Sequence, residues 1–269
     1  MHFKNKMNQD TYSVMPNKNN CSPHVGLFIT CLIDLFRPSI AWATIDLLKQ
    51  AGCKVTVPQT QTCCGQPAYN SGANIQARDL AKKLIDEFKE FDFIVVPSGS
   101  CSGMIKQHFL ELFKDDVSWL KKATLISRKT YELTEFLIDV LDFKHVHKGP
   151  RYCYKVTYHD SCSGLRESNI KDQPRKLLKQ IDGLNLIEGK EAETCCGFGG
   201  LFCMKYPEIS EKIVDLKVDD ILSTKTELLL GGDLGCLMNI AGRISRRGER
   251  VDVRHVAEYL AGSINKQPI

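Results

Sequence analysis

Apolar residues come along this chain in short blocks, and the period of the polar positions changes from block to block. Gly26–Thr30 is compact and apolar, which predicts a buried strand ending at Cys31. Pro38 opens a helical pattern in which Ile40, Ala43, Thr44, Leu47 and Leu48 share one face, and Gly52 closes it. Cys53–Val57 alternates as a strand and runs into a loop over Gln59–Gly72. Ala73–Phe88 is an amphipathic helix with Leu80, Leu84 and Phe88 turned inward. Phe91–Val96 is an apolar strand stopped by Pro97, Ser98–Cys101 is the turn after it, and Met104–Phe113 is a helix. The stretch Trp119–Thr130 gives no clear pattern, and Thr134–Leu141 reads as a helix.

The same order then returns. Lys155–Tyr158 predicts a strand, Pro174–Gln180 a helix and Leu184–Ile187 a second strand. Pro207–Leu222 is helical, with Ile209, Ile213, Leu216 and Asp220 on one face. Glu227–Leu230 is a strand leading to a turn over Gly231–Cys236, and Val251–Arg254 with the short helix Val256–Leu260 ends the fold. Strands alternating with helices predict an α/β fold, here two tandem Rossmann-like repeats with largely parallel sheets. The expected division is a polar tail over 1–24, a first domain over 25–148 and a second over 149–269. The boundary falls in the polar segment Lys144–Arg151, with His145, His147, Gly149 and Pro150.

Composition narrows the function classes. An apolar share of 43% suits a chain with real cores, and 36 basic against 32 acidic residues leave a net charge of only +4. The densest basic spot, Ser245–Arg250, has no interleaved aromatics and reads as a solvated helix end, so nucleic acid is not an expected partner. No apolar run reaches the ~20 residues of a membrane span, and the first twenty residues lack a secretory pattern. A cytoplasmic setting is expected, where twelve cysteines point to metal rather than disulfides.

The cysteines carry the chemistry. Cys31, Cys63-Cys64-Gly65 and Cys101 are followed by Cys162, Cys195-Cys196-Gly197 and Cys236. The gaps match closely: 63 − 31 = 32 against 195 − 162 = 33, and 101 − 64 = 37 against 236 − 196 = 40. Two vicinal pairs with matching partners are poorly explained as core packing. Four thiolates suit an iron–sulfur cluster or Zn²⁺; the spacing lacks the close Cys-x₂-Cys knuckles of structural zinc, so up to two iron–sulfur clusters lead and zinc stays the alternative. Each cysteine falls beyond the carboxyl end of a predicted strand, where ligands bind in such sheets.

These motifs resemble the tandem cysteine-rich CCG-domain family, which includes the catalytic component of heterodisulfide reductase and the iron–sulfur component of glycolate oxidase. The strings Thr30–Pro38, Gln61–Gly72, Pro97–Cys101, Tyr131–Phe136 and Gly232–Gly242 are similar to those of the lactate-utilisation protein A branch. That resemblance implies an iron–sulfur electron-transfer subunit of a complex oxidising L-lactate to pyruvate, with two further lactate-utilisation proteins as partners, one of them ferredoxin-like. The full family motif ends in Cys-x-x-Cys. Ser98 and Asp233 stand at its first position here, leaving four cysteines per half, the complement of a [4Fe–4S] cube. They are expected to hydrogen-bond a ligand, with direct oxygen ligation the alternative. A thiol-disulfide reductase and a zinc-stabilised scaffold without redox activity are the competing functions.

Other residues have blander expectations. His159, before Asp160, is either a proton relay and cluster neighbour or a satisfied structural histidine. Arg37 and Arg166 balance cluster charge or pair at the surface. Gly197–Gly200 lacks the spacing of a nucleotide loop and reads as a close-packed turn. Cys21, Cys53, Cys153 and Cys203 have no repeat partner; Cys53, Cys153 and Cys203 are expected to pack in the core.

Overall fold

The computed structural model describes residues 22–144, 155–263 and 267–269. The expected polar tail up to residue 21, most of the boundary segment, Cys21 and Cys153 lie outside the described residues. The first half carries β1 (His24–Leu27), β2 (Lys54–Thr56), β3 (Phe93–Val96) and β4 (Thr130–Glu132). The second carries β5 (Lys155–His159), β6 (Asn185–Leu186), β7 (Leu228–Gly231) and β8 (Asp252–His255). The sheet orders are β2-β1-β3-β4 and β6-β5-β7-β8, and every pairing is parallel. Val25 lies opposite Val55 and Phe93; Val156, its counterpart, lies opposite Leu186 and Leu228. The architecture is therefore the expected pair of Rossmann-like α/β repeats.

Several elements differ from expectation for local reasons. The unclear stretch forms a helix, Val117–Arg128, capped by Asp116, and then β4. Its periodicity is weak because only Ala123 and Ile126 are buried. Helices Cys31–Phe36 and Cys162–Ser168 follow β1 and β5 directly, with no sequence forecast for either. The segment Met104–Phe113 opens with a wide π-turn over Met104–His108.

The largest correction concerns the helix Pro207–Ser223. Ile209 and Leu216, which share helical spacing with Ile213 and Asp220, are exposed, while Ser210, Val214, Lys217, Val218 and Ile221 are buried. The buried face of its counterpart, Asn74–Phe88, is Ala77, Ala81, Leu84, Ile85 and Phe88, with Leu80 half-buried. The two sets match one for one at a constant offset: 210 − 77 = 133, 217 − 84 = 133 and 221 − 88 = 133. Polar residues tolerate this face because loops satisfy them. Ser210 Oγ donates to the Gly197 carbonyl at 2.8 Å, and Lys217 Nζ donates to the Glu191 and Ala192 carbonyls at 2.9 and 2.8 Å. Asp220, also buried, accepts from the Glu191 N–H at 3.0 Å.

One apolar core runs through both halves. Leu27, Val95, Leu133 and Phe136 join Tyr158, Leu177, Leu230 and Val256 in a single cluster. The helix Ser39–Gln50 of the first half packs on Val256–Leu260 of the second, and Asp172–Leu178 of the second packs on Leu133–Glu135 of the first. Two smaller clusters lie outside it, one under Asn74–Phe88 and one under Pro207–Ser223.

Candidate metal centres

Each motif cysteine is placed by the element before it. Thr30 caps the helix opened by Cys31, accepting from Ile33 N–H, and Ser161 caps the helix opened by Cys162, accepting from Gly164 N–H at 3.2 Å. Ser98 caps Gly99–Gly103, which holds Cys101; Asp233 caps Leu234–Arg246, which holds Cys236. The vicinal pairs sit in loops that turn at Gly65 (φ +89°) and Gly197 (φ +80°), a left-handed conformation suited to glycine. Each of these glycines donates its N–H to the first sulfur of its pair, Cys63 Sγ at 3.4 Å and Cys195 Sγ at 3.3 Å.

The four thiols of a half meet at one rim. Cys31 Sγ lies 3.8 Å from Cys63 Sγ, and Cys64 Sγ lies 3.2 Å from Cys101 Sγ. These separations exceed a disulfide bond of about 2.05 Å, and all eight cysteines are free. Hydrogen bonds from Cys31 and then Cys64 push Cys63 down to about 3, and those from Cys162 and Cys196 push Cys195 down to about 2. Their donors are pushed up in turn, so protons are shared among clustered sulfurs at both rims. A metal would displace those protons, which is how thiolate sites load. Donor number, softness and convergence fit an iron–sulfur cluster at each rim.

The rims adjoin. A Cβ on Gly99 would come within 3.0 Å of Gly164 Cα, so the helix with Cys101 and the helix with Cys162 cross on bare backbone. Beside this crossing, Ser98 Oγ donates to Asp233 Oδ2 at 3.1 Å and Ser100 N–H donates to the same oxygen at 2.9 Å. Ser98 and Asp233, equivalent by sequence, thus bond to each other across the halves.

A cysteine-rich domain family model, CCG, matches the chain twice, over residues 25–106 and 156–241. The chain belongs to the CCG family. Among its curated relatives, "Lactate utilization protein A 2" of Bacillus cereus (strain 03BB102) is 45% identical over 242 residues, covering 90% of this chain and 99% of that protein. "Lactate utilization protein A" of Exiguobacterium sp. (strain ATCC BAA-1283 / AT1b) is 46% identical over 240 residues, covering 88% and 97%. A hypothetical protein from Helicobacter pylori shares the fold with a TM-score of 0.61 at 13% identity, over 92% of this chain and 50% of that one.

The two CCG rims differ in their surroundings. His159 ends β5, 2% exposed, and among the described residues neither ring nitrogen has a partner. A ring nitrogen and the sulfurs of Cys196 and Cys236 all lie within 4.8 Å of one another. Burial, with the Lys217 charge adding to it, pushes His159 down to about 3, so the ring is neutral. The first rim instead opens on a cavity of about 360 Å³ lined by its four cysteines and, from the second half, by Phe198, Cys203 and Met204. Cys203, expected to pack in the core, lines the first site's cavity instead. It is half-buried there because the loop after Cys196 crosses the boundary between the halves. Only that crossing, invisible to spacing, could have located it. Cys53 is buried as expected. Arg37 binds Glu258 at 3.0 Å, which ties the halves together. Among the described residues no helix is long and apolar enough to cross a membrane.

Proposed function

We propose that this chain is an iron–sulfur electron-transfer component of a system oxidising L-lactate to pyruvate. The observation that carries the reading is two adjoining four-thiol rims on a CCG chain similar to lactate utilization proteins. In this reading Cys31, Cys63, Cys64 and Cys101 hold one [4Fe–4S] cluster, and Cys162, Cys195, Cys196 and Cys236 hold the other. Ser98, Asp233 and His159 act from outside the ligand set. The repeats span 25–148 and 149–269, the partners are two further lactate-utilisation proteins, one ferredoxin-like, and the setting is cytoplasmic. Such clusters supply one-electron transfer when bound.

The chain's own residues support relay rather than substrate oxidation. The cavity at the first rim is lined by thiols, apolar side chains and the uncharged polar side chains of Thr30, Gln66, Ser98 and Ser100, and its carboxylate, Asp233, is already bonded to Ser98 and Ser100. Among the described residues no lysine or arginine lines it to hold a hydroxy-acid carboxylate. The crossing of backbones at Gly99 and Gly164 brings the two ligand-bearing helices together, which shortens the path between rims.

The test is anaerobic purification followed by iron and acid-labile sulfide analysis. Cys64→Ser and Cys196→Ser should each lose one cluster's worth, whereas Cys53→Ala should lose none. Zinc without labile sulfide overturns the reading. The isolated chain should not oxidise lactate, and the three proteins together should. Disulfide reduction by the chain alone would favour a thiol-disulfide reductase instead.

A further inference from the structure

We infer that His159 makes the two rims electronically unequal by donating a ring N–H hydrogen bond to sulfur at the second cluster. The inference rests on the iron–sulfur reading above and deepens it. Counting back three residues from the leading cysteine gives Phe28 in the first half and His159 in the second (31 − 28 = 3; 162 − 159 = 3). Both side chains are buried beneath their rims, Phe28 at 1% and His159 at 2% exposure. Phe28 is satisfied there by the Phe88 ring, 5.8 Å away. His159 is not satisfied: among the described residues neither ring nitrogen has a partner, and one of them lies within 4.8 Å of the sulfurs of Cys196 and Cys236. A buried polar group without a partner is costly and needs an explanation. Sulfur at the second rim supplies one, since an imidazole ring carries an N–H donor whether neutral or protonated.

A second difference acts in the same direction. Leu84 is buried in the same apolar cluster as Cys64, and its counterpart Lys217 is tied to the Glu191 and Ala192 carbonyls just before Cys195. An N–H aimed at sulfur and a nearby positive charge both stabilise an added electron, so they raise a cluster's potential. The first rim has neither at the matching positions. Asp233, standing where the first half has Ser98, brings a negative charge toward Cys162 and Cys236 and acts the other way, as does Asp220, 3.9 Å from Lys217. Ser98, Ser100 and Gly235 donate to the Asp233 carboxylate and disperse its charge, which leaves the histidine N–H and the lysine to set the sign. One electron therefore moves downhill from the first site to the second, with no bond made or broken and no proton transferred.

The test is potentiometric titration of the anaerobically prepared full chain, followed by electron paramagnetic resonance. Cys64→Ser and Cys196→Ser, each retaining one site, assign the two midpoints. The second site should have the higher midpoint in the unaltered chain. His159→Phe copies the residue of the first half; it should keep iron and sulfide and lower the second midpoint alone. His159→Gln retains an N–H donor and should restore much of the shift. Equal midpoints in the unaltered chain, or an unmoved second midpoint in His159→Phe, overturn the inference. So does nitrogen hyperfine coupling strong enough for direct iron ligation. Absence of iron from the unaltered chain would instead overturn the underlying cluster reading. If His159→Phe does not fold, the assigned midpoints and the Gln variant still decide.

Discussion

The vicinal-cysteine turns predict an unequal response to one substitution. Gly65 and Gly197 share a left-handed conformation, so alanine at either position costs about 1–2 kcal/mol of backbone strain. Their surroundings differ. A Cβ on Gly65 would meet the Ala77 carbonyl oxygen at 3.4 Å, an ordinary contact, whereas a Cβ on Gly197 would meet the Ser210 carbonyl oxygen at 2.7 Å. That oxygen is helix backbone and cannot swing aside, and Ser210 also donates to the Gly197 carbonyl at 2.8 Å. Overpacking adds about 1–3 kcal/mol. Gly65→Ala should therefore cost about 1–2 kcal/mol and Gly197→Ala about 2–5 kcal/mol. At about 2–4 °C of Tm per kcal/mol for a chain near this size, the second variant should melt several degrees below the first. Circular dichroism melts of the metal-free proteins read this directly. Iron analysis after reconstitution should show Gly197→Ala losing iron at the second rim, because the displaced turn withdraws its N–H from Cys195 Sγ. Equal melting shifts, or a larger loss for Gly65→Ala, would refute the steric argument.

Further outcomes follow from other contacts. Cys203→Ala should leave iron content unchanged, since four thiols already complete the first rim; loss of iron there would make Cys203 a ligand contributed by the other half. Asp233→Ala strips the acceptor from Ser98 Oγ and from two backbone N–H groups; it should destabilise by about 2–4 kcal/mol in urea titrations, and Asp233→Asn, which keeps an acceptor, by clearly less. Burial pushes Glu132 up to about 7 despite bonds from Thr134 and Glu135. A carboxyl raised in the folded state favours folding below its unfolded value near 4.5 and loses that advantage as pH rises through 7. Glu132→Gln should thus gain stability relative to the parent at pH 8, by at most on the order of 3 kcal/mol, and gain none at about pH 4; a gain independent of pH would contradict the assignment.

The repeat was legible because cysteine positions record the same strand ends twice. Helix Ser39–Gln50 was legible because Ile40, Ala43, Thr44, Leu47 and Leu48 are all buried, as their spacing requires. Helix Pro207–Ser223 misled because hydrophobicity and burial disagree on it: Lys217 and Asp220 are buried by bonds to a loop, and Ile209 and Leu216 are left outside. Alignment of that helix with Asn74–Phe88 would have found the right face. The Ser98–Asp233 bond was beyond reach in another way. Each residue read singly looked like a lost cysteine, and only the packing of one half on the other makes them partners.

The core that runs through both halves has a consequence for ancestry. Leu27, Leu133, Tyr158 and Val256 belong to one cluster, and helices cross between the repeats in both directions. A polypeptide with one repeat would present that apolar face to water, and a face of this kind draws in a second copy. The ancestral single-repeat chain is thus expected to have been a twofold dimer, later fused by gene duplication. In a fused chain the two copies of each position are free to differ. Phe28 against His159, and Leu84 against Lys217, are substitutions that a symmetric dimer would have had to make on both sides at once.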